Sequence, residues 1–327
     1  MVRKCTISVF KILAFSFIIP IFGEVYTHLE WDRARSEMTW EVTEIEPFDE
    51  LILSWNAERT ETESYSFFLS FRQNGEWSPW LYYAEWGAYG RQLCDDRFSC
   101  PFAKAFRGTA EPAQGKFDGF RVEAVSPIAG STFGLRSVIA SISRGQKSIA
   151  LPQSLPTEKI LFDSAPRCSL LHLRLSTVHE FSPAASASVA VNYLIGGVDT
   201  QDFIQHVYDQ DYDCYEHWPL IAAEMSVRLG AKYSVHVERL DDFGALYSQL
   251  QKGCPVLVGL IGTLPGGPRP FQREHGVCVI GYDPAEKKVH CIDPGFMTLK
   301  ASYVAYPLAD FVKAWGKRKN IACIISD

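Results

Sequence analysis

The chain has 327 residues, 47% hydrophobic and 21% charged, and a formal net charge of −6 at pH 7. This is ordinary globular material, long enough for two domains with cores of their own. Residues 1–23 hold three basic and no acidic residues, so the remainder is more acidic than the total, which argues against a nucleic-acid-binding protein.

Residues 1–23 have the layout of a signal peptide. Basic Met1-Val-Arg-Lys4 is followed by an apolar stretch from Cys5 to Phe22 and by Gly23-Glu24 as a cleavage point. The competing reading is a membrane anchor, for which the run is only marginally long. Cys5 lies too early for a lipid-attachment site, and no other stretch has the length of a membrane span. The expected location is outside the cytoplasm: periplasmic, cell envelope or secreted. Export permits disulfides, and Cys94 and Cys100, which bracket a short polar loop, are the expected pair. Cys254, Cys278, Cys291 and Cys323 sit in apolar, strand-like runs, where a free thiol packs as a small hydrophobe. With no Cys-x-x-Cys and no metal-like Cys/His spacing, the sequence implies no metal and no cofactor.

From residue 24 to 150, short apolar runs are separated by Gly, Pro and Asn. Examples are Glu50-Leu-Ile-Leu-Ser-Trp55, Tyr65-Ser-Phe-Phe-Leu-Ser-Phe71 and Phe133-Gly-Leu-Arg-Ser-Val-Ile-Ala-Ser-Ile142. Many short strands with turn signals between them predict an N-terminal all-β sandwich. Asn74-Gly-Glu-Trp-Ser-Pro-Trp80 reads as a hairpin turn. Trp77, Trp80 and Trp86 crowd this region with several tyrosines. Such rings either stack on a carbohydrate or peptide ligand or fill the core, and the core is the usual place for them. Residues 151–167 lose periodicity and gain proline, as a linker does.

Residues 168–327 open with the clearest helix, Ser182 to Ile195, with Ser182 expected as N-cap, Pro183 at the first helical position and Gly196 as the stop. Further helices are predicted at His217 to Leu229 and at Leu240 to Gln251. Strands are predicted from Pro255 to Ile261, across a hairpin from Val277 to Ile292, and from Ile321 to Ser326. Helices first and antiparallel strands afterwards make an α+β arrangement. If the hairpin turns at Pro284, His275 and Asp293 fall opposite each other on one face. A carboxylate beside an imidazole fixes its tautomer, which is the base-and-orienter half of a nucleophilic relay.

Five landmarks in order then carry a resemblance. They are Phe181-Ser-Pro-Ala-Ala-Ser186, Glu216-His-Trp-Pro219, Gly253-Cys-Pro-Val256, Glu274-His-Gly276 and Ile292-Asp-Pro294, with Ser54-Trp-Asn-Ala57 ahead of them. The series resembles the papain-fold cysteine peptidases of the bacteriocin-leader-processing type, in their secreted "C-thirty-nine-like" branch, over about residues 165–327. The resemblance implies a C-terminal α+β papain-like domain with His275 and Asp293 as the catalytic dyad and a cleft that includes Trp218. It also implies a cysteine where this chain has Phe181, and a glutamine upstream with no clear counterpart in Leu170 to Glu180. A phenyl ring has no nucleophile, so the expectation is an exported peptidase homologue, without activity, that binds a peptide or cell-envelope component. Two alternatives stand beside it. One is an active hydrolase that uses Ser182 or Cys214 with the same dyad; the other is a carbohydrate binder working through the aromatic sandwich. His217 and His290 read as ordinary surface or core residues, and Gly262 to Pro270 as a loop over the cleft.

Overall fold

Alternation of apolar and polar residues gives the first half of the chain its strands. The computed structural model describes residues 23–28, 37–59, 62, 64–88, 91–93, 99–126, 134–145, 151, 154–173 and 181–327. In chain order the first half comprises β1 (Gly23–His28), β2 (Glu37–Phe48), β3 (Glu50–Ala57), β4 (Ser64–Gln73), β5 (Glu76–Trp77), β6 (Leu81–Gly87) and β7 (Arg91–Leu93). These are followed by β8 (Ala103–Phe106), β9 (Thr109–Pro112), β10 (Phe117–Val125) and β11 (Leu135–Ser143). They form two antiparallel sheets, ordered β1-β11-β3-β9-β8 and β2-β10-β4-β6-β7, with β5 on β4. The predicted turn at Asn74-Gly75 is present, both residues having positive φ.

One core lies between the two sheets. Trp55 of β3 stacks on Phe67 of β4 with centroids 4.5 Å apart, and Phe71 stacks on Phe117 at 4.1 Å. Tyr83 keeps its polar tip satisfied there: its hydroxyl accepts the N–H of Leu53 (3.0 Å) and donates to the carbonyl of Gly108 (2.6 Å). Trp86 is 1% exposed and stacked on Tyr65, so it belongs to this core and not to any exposed ring platform. Trp77 and Trp80 lie outside the core, with the Arg121 guanidinium over both rings at 4.6 and 4.7 Å.

The second half contains β12 (Ile160–Leu161), α1 (Ser182–Ile195), α2 (Thr200–His206), α3 (Trp218–Leu229), β13 (Ser234–Arg239), α4 (Phe243–Gln251) and β14 (Val256–Gly262). After these come β15 (Phe271–Asp283), β16 (Lys288–Ile292), β17 (Tyr303–Pro307), α5 (Leu308–Gly316) and β18 (Ile321–Ser326). The third sheet, also antiparallel, runs β13-β18-β14-β15-β16-β17, with β12 on β15. The described residues thus make three antiparallel sheets and five α-helices.

Two local readings are corrected. The N-cap of α1 is Phe181 and not Ser182, because the Ser182 hydroxyl is turned to the neighbouring strand. The helix expected from Leu240 begins at Phe243, where Asp242 Oδ1 accepts the N–H of Ala245 (3.0 Å). Within the segment read as a linker, Ile160 and Leu161 pair with Tyr282 and Gly281. Residues 1–22 and Cys94 lie outside the described residues, and with them the signal segment and one half of the expected Cys94–Cys100 disulfide; Cys100 is a free thiol. Cys254, Cys278, Cys291 and Cys323 are free, buried thiols. Among the described residues no helix is long and apolar enough to cross a membrane, which says nothing of β-barrels.

Candidate functional site

The hairpin of β15 and β16 brings the base and the carboxylate together, though by another register than the one expected. The turn occupies residues 284–287 instead of centring on Pro284. Asp283 Oδ1 accepts the N–H groups of Ala285 and Glu286 (2.9 and 3.1 Å), and Lys287 takes a positive φ. This turn pairs Asp283 with Lys288. Continued without interruption, the register would set Asp293 across from Cys278, on the face opposite His275. A bulge at Ile280 changes the count: Gly281 pairs with His290, but Val279 pairs with Cys291 and Cys278 with Ile292. Asp293 therefore continues opposite Val277, on the face of His275 and one diagonal step away.

His275 Nε2 lies 2.7 Å from Asp293 Oδ1, both side chains being buried. Tyr306 of β17 donates its hydroxyl to Asp293 Oδ2 (2.6 Å), and the Gly295 N–H donates to Oδ1 (2.8 Å). Burial alone would raise the Asp293 pKa. The His275 charge and these hydrogen bonds outweigh it and hold the carboxyl below its ordinary value. A carboxylate so held accepts from Nε2–H and leaves Nδ1 as the ring's basic atom. Among the described residues nothing hydrogen-bonds Nδ1, while Phe271 stacks flat on the ring at 3.9 Å and 7° and fixes its plane.

The start of α1 is fastened to the residue after this histidine. Ser182 Oγ accepts the N–H of Gly276 (3.1 Å), and the Ser186 hydroxyl donates to its carbonyl (2.9 Å). A Cβ on Gly276 would stand 2.3 Å from Pro183 Cα, so only glycine lets the helix come this close. Phe181, one residue before the helix, is 3% exposed and meets Tyr215 edge-on at 6.3 Å. Ser182 is wholly buried. Cys214 has its Sγ 3.6 Å from Nε2 of His217. The recorded partners of both substitute nucleophiles are thus groups other than His275. Trp218 is buried, with Nε1 donating to Glu274 Oε1 (2.6 Å), while Arg318 pairs with the other carboxylate oxygen. Burial still raises the Glu274 pKa against the pull of Arg318 and Trp218.

Beside the dyad, residues 269–275 line a cavity of ≈ 220 Å³ that includes Arg269, Arg273 and His275. Sequence reasoning missed Tyr306 and Phe271. Both lie in strands, and nothing in the local pattern marks either aromatic residue as a partner of the dyad.

No curated protein matches the chain. Among solved structures, the chain is similar to one described as "Crystal structure of a double glycine motif protease from AMS/PCAT transporter in complex with the leader peptide". The identity is 13%, the TM-score 0.33, and the match covers 52% of this chain and 98% of that one. Residues 183–323 match the model of the Peptidase_C39 like family. The stretch that carries Gly276, His275 and Asp293 is therefore similar to that peptidase-like family, in a match that begins two residues beyond Phe181.

Proposed function

We propose that the chain is an exported peptidase homologue that holds a peptide or cell-envelope component without cutting it. In this reading a β-sandwich (24–150) and a linker (151–167) precede a papain-like domain (168–327). The observation that carries it is Phe181, a buried residue before the first turn of α1, whose neighbour Ser182 is hydrogen-bonded to the residue after His275 of an intact His275–Asp293 pair. The resemblance puts the nucleophilic sulfur there, and a benzyl group has no lone pair with which to attack a carbonyl. Ser182 is a poor substitute because its oxygen is engaged by the Gly276 N–H.

What remains suits binding. The cavity beside His275 carries Arg269 and Arg273. Two loops tied together by Ser169 Oγ donating to the Phe296 carbonyl (2.6 Å) present Leu171 and Met297, 66% and 72% exposed. Basic groups and exposed aliphatic side chains beside a polar cleft favour an extended peptide with acidic and apolar residues.

The test is to treat the full chain with a fluorophosphonate and with a peptidyl acyloxymethyl ketone, then map the adducts. No adduct should depend on His275, while fluorescent peptides of the stated composition should bind and lose affinity in His275→Ala. A covalent adduct that disappears in His275→Ala would overturn the reading, as would a failure of all such peptides to bind.

A further inference from the structure

The loop between α2 and α3 holds a thiol with a second imidazole and a second carboxylate, none of them shared with the His275–Asp293 dyad. His217 Nδ1 lies 2.7 Å from Asp209 Oδ2, and Cys214 Sγ lies 3.6 Å from Nε2 of the same ring. The backbone sets this spacing. Asp209 N–H donates to the Cys214 carbonyl (2.8 Å) and Cys214 N–H returns to the Asp209 carbonyl (3.3 Å). Asp213 closes the turn at positive φ, and His217 is the N-cap residue of α3.

Asp209 is fully buried. Its Oδ1 accepts the N–H groups of Asp211 and Tyr212 (3.0 and 3.1 Å), and Oδ2 accepts that of Leu93 (3.0 Å). A carboxylate pinned by three backbone donors cannot swing away. It takes the proton side of Nδ1 and leaves Nε2 to accept from the thiol. Tyr212 packs edge-on against the imidazole at 5.0 Å and limits its rotation.

Burial, with Asp209 and Glu216 nearby, pushes the Cys214 thiol up to about 11, against the Glu216 N–H and Arg107, which lower it. The resting group is thus S–H, and attack requires a base at hydrogen-bond distance. Cys214 is only partly buried. Arg107, whose charge favours a thiolate on Cys214, and Glu216, whose N–H does so, line a cavity of ≈ 340 Å³ between the two halves of the chain, with His217. Its walls carry charges of both signs, among them Arg318 and Glu111, together with the rings of Phe106 and Trp218. Mixed charge with aromatic edges suits a polar peptide better than a lipid chain.

We propose that Cys214, His217 and Asp209 form a second nucleophilic relay that accepts the acyl group of a peptide or peptidyl ester. Sγ attacks the carbonyl carbon while Nε2 takes the thiol proton. The tetrahedral adduct collapses to a thioester on Cys214, and the imidazolium returns that proton to the departing amine or alcohol. Water, deprotonated by the same nitrogen, then cleaves the thioester to a carboxylic acid and the free thiol. The relay is independent of the binding function assigned to His275.

The test uses the full chain, iodoacetamide and p-nitrophenyl acetate, with each modified cysteine located by peptide mapping. Cys214 should be alkylated faster than Cys100, with a wild-type rate that levels off well below the alkaline thiol range. An acetyl group should be trapped on Cys214 at acid quench. His217→Gln should slow both reactions at least ten-fold, Asp209→Asn should slow them less, and His275→Ala should change neither. A wild-type rate at Cys214 that rises only through the alkaline thiol range would overturn the proposal even if the variants fail to fold. So would acetylation confined to other residues, or an unchanged rate in a folded His217→Gln protein.

Discussion

Asn56 acts as a strand partner for Val235: its Oδ1 accepts the Val235 N–H (2.7 Å) and its Nδ2 donates to the Val235 carbonyl (3.1 Å). Two residues earlier on β3, Ser54 Oγ accepts the N–H of Val237 (3.0 Å). Among the described residues strand β13 pairs only with β18, so these side chains close its otherwise open edge. Trp55, between them, points the other way into the N-terminal core, as the two-residue period of a strand requires. The tetrapeptide Ser54-Trp-Asn-Ala57 therefore joins the two halves of the chain. Asn56→Ala leaves a buried donor and a buried acceptor unmet, and the expected loss is about 2 kcal/mol of stability, read as a lower denaturant midpoint. Asn56→Asp keeps the acceptor but sets a buried carboxylate oxygen against the Val235 carbonyl, and should cost at least as much as alanine.

Gly276→Ala should be costly although it adds a single methyl group. The contact it meets is the Pro183 backbone at 2.3 Å, which cannot rotate aside. The expected loss is roughly 1–3 kcal/mol. Hydrogen exchange should localise it to faster opening at the start of α1.

Stability should fall in acid partly through Glu50. Burial opposes ionisation of this carboxyl, but Arg239 and Lys319 overcome it and lower its pKa to about 2 from 4.5. The unfolded chain binds the proton at higher pH than the folded one. The contribution is therefore complete above about pH 4.5 and lost as the pH falls towards 2. It is at most about 3 kcal/mol. Acid titrations of Glu50→Gln should show a flatter decline over that window, with lower stability at neutral pH.

Tyr306→Phe removes the hydroxyl that donates to Asp293 Oδ2. With one hydrogen bond fewer, the Asp293 pKa should move up towards its ordinary value, so that its contribution to stability is lost at higher pH than in the wild type. NMR titration of the His275 ring checks this, and the stability cost at neutral pH should be about 1–2 kcal/mol.

Phe181→Cys should give the helix start a thiol that responds to the dyad. Its alkylation rate should exceed that in Phe181→Cys/His275→Ala by ten-fold or more, measured at residue 181 by peptide mapping. Equal rates would mean that the imidazole does not reach this position.

The parts legible in the sequence were those with strong local signals. Pro183 and Gly196 bracket α1, Gly230 stops α3 at a φ of 69°, and the alternation in β3 and β4 marks strands. Short α2, capped by Asp199 accepting from the Asp202 N–H (2.7 Å), is seven residues long, too few for a periodic stretch to stand out. The hairpin register is hidden in the sequence because Asp283 and Lys287 set the turn, and neither is as conspicuous as Pro284. His217 reads as ordinary because its partners, Asp209 and Cys214, gain meaning only when the loop folds back on itself. Trp86 and Trp80 look alike in sequence, and only the sheet decides which ring faces inward.

The extra residue at Ile280 makes alignment of the polar pair a matter of counting. Its side chain is buried in the third sheet's packing and touches neither partner's hydrogen bond. Were Ile280 instead drawn into the ladder opposite Cys291, each later pairing would slip by one and Asp293 would face Cys278. The carboxylate would then emerge beneath the sheet while the imidazole stayed above it. A slip of one aliphatic residue would in this way separate a base from its acid more completely than a substitution at either one.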